Sequence, residues 1–276
     1  MQPATLDMID WLSWSILTDE PLINEHLPDT CHRARKAAAW TLKLLPELHP
    51  TSANLTHGRK PYRFASGLPY ARLLLSEGQA HVTVELTGQG CAMARGRGIM
   101  SKLLVLASER CTRIDLVRDM ETDLQPGEFV AAGYSDKFRA RQSIVSDSGL
   151  TEYVGSPKSE RFARVYRYAE PHPRAHLLRV EMVMKGENAR EYVKFARQNS
   201  VGAAVSAAGA VYGWKHPYWP NDGAEPLTAA RVDTQAGGTV RWFYKQVAPA
   251  VRRLLEDGTL TPDDLISEFG LTANEE

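Results

Sequence analysis

Three segments of the sequence alternate like β-strands and carry reactive side chains on one face. In TRIDLVRDM, the strand period of two places Asp115 and Asp119 on the same side. Glu181 points away from an apolar row in HLLRVEMVMK, and Arg164 shares a face with Tyr166 in RFARVYRYAE. If these strands are neighbours in one sheet, its surface gathers carboxylates, an arginine and a tyrosine.

This set of side chains suits phosphodiester chemistry. Carboxylate oxygens are ligands for Mg²⁺ or Mn²⁺, and such a metal polarises a phosphoryl oxygen and neutralises charge as it develops. A tyrosine, whose ordinary pKa is about 10, needs a positive neighbour or a metal to become a nucleophile at neutral pH. Arg164 would supply that positive charge beside Tyr166. The plainer alternative is a solvated polar face with tyrosine as a common strand residue.

A turn between two of these segments has the composition of a phosphate site. GSPKS, residues 155–159, contains Lys158 and the hydroxyls of Ser156 and Ser159, which can hold a phosphate together with backbone amides. Residues 134–185 contain ten Lys and Arg against six Asp and Glu, a net charge of +4. A local basic surface predicts DNA binding that weakens steeply with salt, and a solvated charged face is the simpler alternative.

The elements that would position these groups follow from hydrophobic periodicity. IDWLSWSI predicts a buried strand and residues 30–47 predict a helix. YRFAS, LPYARLLLSEG and HVTVELTG predict an antiparallel meander, residues 90–111 a helical stretch, and PGEFVAAGYS a short helix beginning at Pro126. Further strands are predicted at 112–120, 142–146, 150–155, 161–168 and 177–184.

From residue 186 onward the pattern changes to helices. HPYWPNDGAEP, rich in Pro and Gly, separates a first pair of helices from a second pair. We therefore predict an α+β fold with a central antiparallel sheet and flanking helices. Residues 1–185 would form the catalytic domain, and residues 186–276 a helical C-terminal region that binds DNA or a partner, or serves as a structural cap.

Composition excludes several classes of protein. Hydrophobic residues make up 43% of the 276 residues, and 33 basic side chains offset 33 acidic ones, so any basic site must be local. Three cysteines without CxxC spacing argue against a disulfide framework and a zinc ribbon. No signal peptide and no apolar run of about 18 residues is recognised, so we expect a cytoplasmic protein with no membrane segment.

Four segments follow the order and spacing of a known family. IDWLSWSI, RIDLVRD, YVGSPKSERFARVY and RVEMVMKGENA resemble the Rep_trans family, which are replication initiators of rolling-circle plasmids and of filamentous phages. LPYARLLLSEGQAHVTVELTGQGC and VRWFYKQVAPAV resemble the phage branch more closely. The resemblance covers roughly residues 8–255, and the pattern YxGSxxSxxxxRxY is its most specific part.

The resemblance implies an enzyme that nicks one strand of origin DNA. The tyrosine that closes the pattern matches Tyr166, which is implied to form a 5′-phosphotyrosine and to leave a 3′ hydroxyl that primes synthesis. Asp115, Asp119 and Glu181 match the implied ligands of Mg²⁺ or Mn²⁺.

Contacts with DNA phosphates are implied for the residues between the first tyrosine of the pattern and the last. These residues are Ser156, Lys158, Ser159, Arg161 and Arg164. The expected partners are origin DNA, single-stranded or supercoiled, a host helicase and polymerase, and a second copy of the chain in a homodimer.

One departure from the family pattern concerns the residues after the nucleophile. The family often has an acidic residue and a lysine there, whereas this chain has Arg167 and Tyr168. Tyr153 and Tyr168 are therefore alternative nucleophiles, ranked after Tyr166 in that order. The alternative functions are a relaxase that starts conjugative transfer of an integrative element and a protein that binds an origin without cutting it.

Overall fold

The computed structural model describes most of the chain, in segments. The described residues are 5–17, 36, 38–46, 55–57, 60–62, 64–65, 70–75, 81–132, 140–147, 149–214, 219, 225–227 and 243–264. Most of the connection HPYWPNDGAEP and part of the helix predicted at 30–47 lie outside these residues.

One antiparallel sheet forms the centre of the fold, as predicted. The strands are β1 (Thr5–Leu17), β2 (Leu55–His57), β3 (Lys60–Tyr62), β4 (Phe64–Ala65), β5 (Ala71–Leu75), β6 (His81–Leu86), β7 (Cys111–Glu121), β8 (Arg141–Ser146), β9 (Gly149–Val154), β10 (Arg161–Arg167) and β11 (Leu177–Lys185). Within the described residues, nine of them form the sheet in the order β4-β5-β6-β1-β7-β11-β10-β9-β8. Strands β2 and β3 form a separate two-stranded ribbon.

The helices lie between and after these strands. They are α1 (Ala39–Leu44), α2 (Gly88–Gly96), α3 (Met100–Ala107), α4 (Pro126–Ala132), α5 (Gly186–Gln198), α6 (Val201–Val211), a π-helical turn (Phe243–Val247) and α7 (Ala248–Glu256). The predicted helical stretch at 90–111 is two helices, because Gly98 between them has a φ of 66°, in the left-handed region that ends a helix.

The sheet has one apolar face and one polar face. Ile114 and Leu116 of β7, Val180 and Met182 of β11 and Val165 of β10 are fully buried on the apolar face. Helices α5 and α6 both pack on β7. The strand period of two therefore assigns alternate residues of each central strand to the helix layer and to the opposite, polar face.

Contacts within the chain divide it into two compact units, Met1–Ala229 and Ala230–Glu276. The change of pattern at residue 186 is the step from the last strand to the helix layer, and α5 and α6 belong to the first unit. The compact units divide after residue 229, whereas the functional division predicted at residue 185 and the roles assigned to its two regions remain predictions.

The second unit is helical in its described part. The π-helical turn leads directly into α7, and Thr261 begins a further helical turn. The Thr261 amide donates to Asp264 Oδ2 at 2.8 Å, and the Asp264 amide donates to Thr261 Oγ1 at 3.2 Å. This reciprocal pair makes Thr261 the N-terminal cap of that turn. Among the described residues, no helix is long and apolar enough to cross a membrane.

A buried arginine joins the sheet to the helix layer. The Arg118 side chain is 3% exposed and donates to both carboxylate oxygens of Asp7 at 2.7 Å. It also donates to Ser206 Oγ on α6 at 3.2 Å and lies 4.3 Å from the ring of Trp219. This contact is stabilising only as long as the guanidinium has its partner, since an unpaired buried charge is costly.

Asp7→Ala is expected to lower the free energy of unfolding by about 3 kcal/mol, because it leaves the Arg118 charge buried without its partner. Asp147→Ala, at an exposed aspartate of the β8–β9 turn, is the matched control and should change stability by no more than about 0.5 kcal/mol. Urea unfolding followed by circular dichroism measures both. Equal effects of the two substitutions would contradict the role given to Arg118.

Candidate active site

Strands β7, β11 and β10 are neighbours, so their polar residues share one face. Arg164 lies opposite Glu181, and Tyr166 lies opposite Arg179. Arg179 in turn lies opposite Asp119 on β7. The predicted gathering of these side chains on one surface is therefore present in the fold.

Glu181 is the centre of the site. It is 2% exposed, and its carboxylate accepts hydrogen bonds from Arg164 at Oε1 and from the Tyr166 hydroxyl at Oε2, the latter at 3.2 Å. Burial acts to raise the pKa of Glu181, but the charge and hydrogen bond of Arg164 outweigh it and hold that pKa below its usual value. Glu181 is therefore ionised, and it orients both the cation and the phenol.

Asp115 is a second buried carboxyl beside Glu181. Arg113 donates to its two oxygens at 2.8 and 2.6 Å. Burial raises the pKa of Asp115 to about 7, and the charge of Glu181 and a hydrogen bond to it act in the same direction, against Arg113. The Asp115 and Glu181 carboxyls thus form a pair that shares a proton near neutral pH.

Asp119 belongs to a different cluster. Arg179 donates to its two oxygens at 2.7 and 2.8 Å, and Arg174 donates to Oδ2 at 3.2 Å. Arg179 also reaches Asp10 Oδ2 at 3.2 Å. The structure therefore brings Asp115 and Glu181 together and leaves Asp119 neutralised by arginines.

Asp10 is a site residue that the sequence did not reveal. It lies at an irregularity in the pairing of β1 with β7, between Ile9 and Trp11, where strict alternation fails. Burial raises the pKa of its carboxyl, and the charge of Arg179 opposes this. A strand period read from the sequence cannot locate such a bulge.

Tyr166 lies at the edge of a cleft of about 300 Å³. The cleft is lined by Thr151, Tyr153, Arg164, Tyr166, Arg167, Tyr168 and Ala169. Burial, followed by the charge of Glu181, raises the pKa of Tyr166 well above its ordinary value of 10. Its hydroxyl is therefore protonated at neutral pH and must lose its proton during any attack.

The two alternative tyrosines also line the cleft, in different surroundings. The ring of Tyr168 stacks on His172 at 3.9 Å, lies 4.9 Å from the Arg179 guanidinium and meets Tyr166 edge-on. Tyr153, on β9, lies opposite Arg164 of β10, and the centre of its ring is 6.4 Å from that of the Phe162 ring. Among the described residues, Tyr166 is the one of the three tyrosines whose hydroxyl donates to a carboxylate.

The GSPKS turn lies at the other end of β10 from Tyr166. Ser159 Oγ donates to the Ser156 carbonyl at 2.7 Å, and Lys158 is exposed. Lys185 Nζ donates to the Pro157 carbonyl at 2.7 Å, which draws a second cation to the turn. Burial and the charge of Arg113 lower the pKa of Lys185, so positive charge is crowded there.

Arg161 faces away from this surface. Phe162 and Arg164 point to the polar face, and the strand period of two turns Arg161 to the opposite, helix side of the sheet. There its charge acts on Tyr192 of α5. Arg167 is held by backbone carbonyls, since Nη1 donates to His176 at 2.8 Å and Nη2 to Leu124 at 2.9 Å. Arg161 thus does not join the other residues predicted to contact phosphates.

A divalent metal fits part of the predicted ligand set. Among the described residues, no group of three or more His, Cys, Asp or Glu side chains is arranged to hold a metal ion. Asp115 and Glu181, however, are two hard oxygen donors buried together and sharing a proton, which a cation can replace. The residues fit a metal as a pair that needs further oxygen ligands from substrate or water.

Comparison with solved structures supports the fold. The structure is similar to that of a rolling circle replication initiator protein from Geobacillus stearothermophilus, with a TM-score of 0.52 and 18% sequence identity. The match covers 82% of this chain and 93% of the other. No model of a protein family and no curated protein sequence matches the chain, so membership of the Rep_trans family stays a prediction.

The raised pKa of Asp115 predicts a specific dependence of stability on pH. Asp115 binds its proton more tightly in the folded state than in the unfolded state, where its pKa has the usual value of 3.8. Its stabilisation of the fold is therefore fully present below about pH 3.8 and is lost as the pH rises through about 7. In metal-free buffer, Asp115→Asn should therefore flatten the fall in unfolding free energy between about pH 4 and 8. Urea titrations at a series of pH values measure the slope, with Asp147→Asn as control. An unchanged slope in Asp115→Asn would refute the assignment.

Proposed function

We propose that the protein initiates rolling-circle replication by nicking one strand of origin DNA through Tyr166. The observation that carries this proposal is the hydrogen bond from the Tyr166 hydroxyl to the buried Glu181, beside Arg164 and at the edge of an open cleft. A phenol, a proton acceptor and a cation are thereby grouped as nucleophilic attack on a phosphodiester requires. The likeness to a replication initiator supports the fold on which this site is built.

The proposed step is a transesterification with no net change in the number of phosphoester bonds. Tyr166 Oη attacks the phosphorus, and its proton passes to Glu181, which already accepts its hydrogen bond. The new bond from phosphorus to Tyr166 forms as the bond to the 3′ oxygen breaks, and that oxygen takes a proton from solvent. The products are a 5′-phosphotyrosine and a 3′ hydroxyl, and the same step in reverse rejoins the strand.

Arg164 has two functions in this proposal. Its pairing with Glu181 keeps that carboxylate ionised and able to accept a proton. Its side chain is 32% exposed, so part of the guanidinium faces solvent and can contact the phosphate as charge develops on it. One arginine thus connects the proton acceptor to the substrate.

Asp115 and Glu181 would hold a Mg²⁺ or Mn²⁺ ion, and Asp119 would not. The pair lies beside Tyr166, and Asp115 accepts hydrogen bonds from one arginine, Arg113, whereas Asp119 accepts them from two, Arg179 and Arg174. When bound, the ion would polarise the phosphoryl oxygen and neutralise developing charge. The shared proton of the pair would leave as the ion binds.

The basic end of the polar face would carry the flanking DNA. Lys158 and Lys185 meet at the GSPKS turn, and Arg113 lies opposite Lys185 on β7. A strand that crosses from this turn over Arg164 to Tyr166 would follow positive charge along β10. The 3′ hydroxyl would then be extended by a host polymerase with a helicase opening the duplex, and the carrier would be a phage or a plasmid.

Tyr166→Phe is expected to abolish the covalent adduct, because it removes the attacking oxygen, and to leave DNA binding nearly unchanged. The assay is incubation with supercoiled origin plasmid and Mg²⁺ or Mn²⁺, followed by trypsin and mass spectrometry. Tyr153, Tyr166 and Tyr168 fall in separate tryptic peptides, residues 142–158, 165–167 and 168–174. An adduct on either of the other two peptides would move the nucleophile, and no nick at all would remove the proposed function.

Asp115→Ala is expected to lower metal-dependent cleavage by more than about 100-fold because it removes a proposed ligand, and Glu181→Ala by at least as much because it removes a ligand and the proposed proton acceptor. Asp119→Asn, which keeps the shape of the side chain, should retain metal dependence. Nicking rates over a series of Mn²⁺ concentrations distinguish these outcomes, with circular dichroism confirming the fold. Full cleavage by Asp115→Ala, or loss of metal dependence in Asp119→Asn alone, would reverse the assignment.

A further inference from the structure

The cleft beside Tyr166 has an aromatic wall that the cleavage step does not use. Its volume of about 300 Å³ lies at the low end of the range for ligand pockets, so it would admit one small unit of a substrate. Tyr153 and Thr151 line it from β9, directly opposite Arg164 and Tyr166 on β10. A group bound against β9 would therefore lie next to the reacting phosphate.

The three rings that line the cleft have different partners among the described residues. The Tyr166 hydroxyl is bound to Glu181, and its ring meets Tyr168 edge-on. The Tyr168 ring already stacks on His172 and contacts the Arg179 guanidinium. Among the described residues, the Tyr153 ring has Phe162 as its partner and neither a carboxylate nor a cation, and it is partly exposed.

The position of Tyr153 suits a flat apolar ligand. Its ring lies nearly parallel to that of Phe162, at an angle of 20°, and Phe162 is 6% exposed beneath the surface. Phe162 lies on the same face of the sheet, diagonally across from Tyr153, and therefore packs beside that ring. Bases of single-stranded DNA stack on such rings whatever their sequence, because every base has a π-face.

We propose that the cleft is a single-nucleotide subsite, in which one unpaired base next to the scissile phosphate stacks on Tyr153. The proposal rests on the proposed nicking function and adds to it the way in which the strand is held. Opposite residues on paired strands have Cβ atoms about 5 Å apart, so a base on Tyr153 and a phosphate at Arg164 belong to one nucleotide or to adjacent ones. The Thr151 hydroxyl is a hydrogen-bonding group for the edge of that base.

Tyr153 is on this account a binding residue and not a nucleophile. Its ring is required, and its hydroxyl is not. The two roles are separable by substitution, because phenylalanine keeps the ring and alanine removes it.

Photocrosslinking tests the contact without altering Tyr153. The full chain carrying Tyr166→Phe is mixed in EDTA with an oligodeoxythymidine in which one thymine is replaced by 5-iodouracil, then irradiated and digested with trypsin. We expect the crosslink in the peptide of residues 142–158, in which Tyr153 is the only aromatic residue. Crosslinks confined to other peptides, such as residues 168–174, would overturn the proposal.

Binding affinity tests the energetic contribution of the ring. In the same Tyr166→Phe chain, Tyr153→Ala should weaken binding of a fluorescein-labelled oligodeoxythymidine by between about 5-fold and about 150-fold, as loss of one stacked base predicts. Tyr153→Phe should bind within about 2-fold of the parent. Equal affinity of the alanine variant and the parent, or equal weakening by both substitutions, would overturn the proposal.

The two proposals can fail separately. Neither measurement needs cleavage, so a crosslink at residues 142–158 together with no covalent adduct on origin DNA would keep the subsite and remove the nicking function. An adduct on Tyr166 with no crosslink at Tyr153 would remove the subsite alone.

Discussion

The site depends on one buried negative charge. Glu181 is 2% exposed in a central strand, and a carboxylate in that position costs several kcal/mol unless its oxygens are satisfied. Arg164 satisfies one oxygen and Tyr166 the other, so a single group fixes both the cation and the phenol. Burial, reinforced by the same charge, raises the pKa of the neighbouring Asp115, and the proton shared by the two carboxyls follows from this.

The two faces of the sheet explain how this charge is tolerated. The apolar residues at alternate positions of β7, β10 and β11, such as Leu116, Val165 and Val180, fill the core against α5 and α6 and are fully buried. The other half of each strand is then free to carry polar groups, which pair across strands as Arg164 with Glu181 and Arg179 with Asp119. Packing of the apolar face stabilises the strands, and this stabilisation offsets the free-energy cost of burying charged groups on the polar face.

Much of this arrangement could be read from the sequence, because strand alternation is a local property. It predicted the central strands and the shared face of Asp115, Glu181, Arg164 and Tyr166. It could not predict which carboxylate meets which arginine, since that depends on register between strands distant in sequence. Asp119 was grouped with Asp115 by spacing alone, and cross-strand pairing separates them. Arg161 was placed on the DNA surface by its position in a motif, whereas its own alternation turns it to the helix side.

Glu181, Arg164 and Tyr166 lie on paired strands and not on loops. Strands hydrogen-bonded on both sides, such as β11 between β7 and β10, have little freedom to move toward a substrate. Under the proposed nicking function, the DNA would therefore have to adapt to the protein, because a relaxed duplex cannot bring a phosphate and an unstacked base to a fixed sheet surface. Torsional stress in a supercoiled substrate would supply the free energy of melting, so its superhelical density would influence when the proposed nicking occurs.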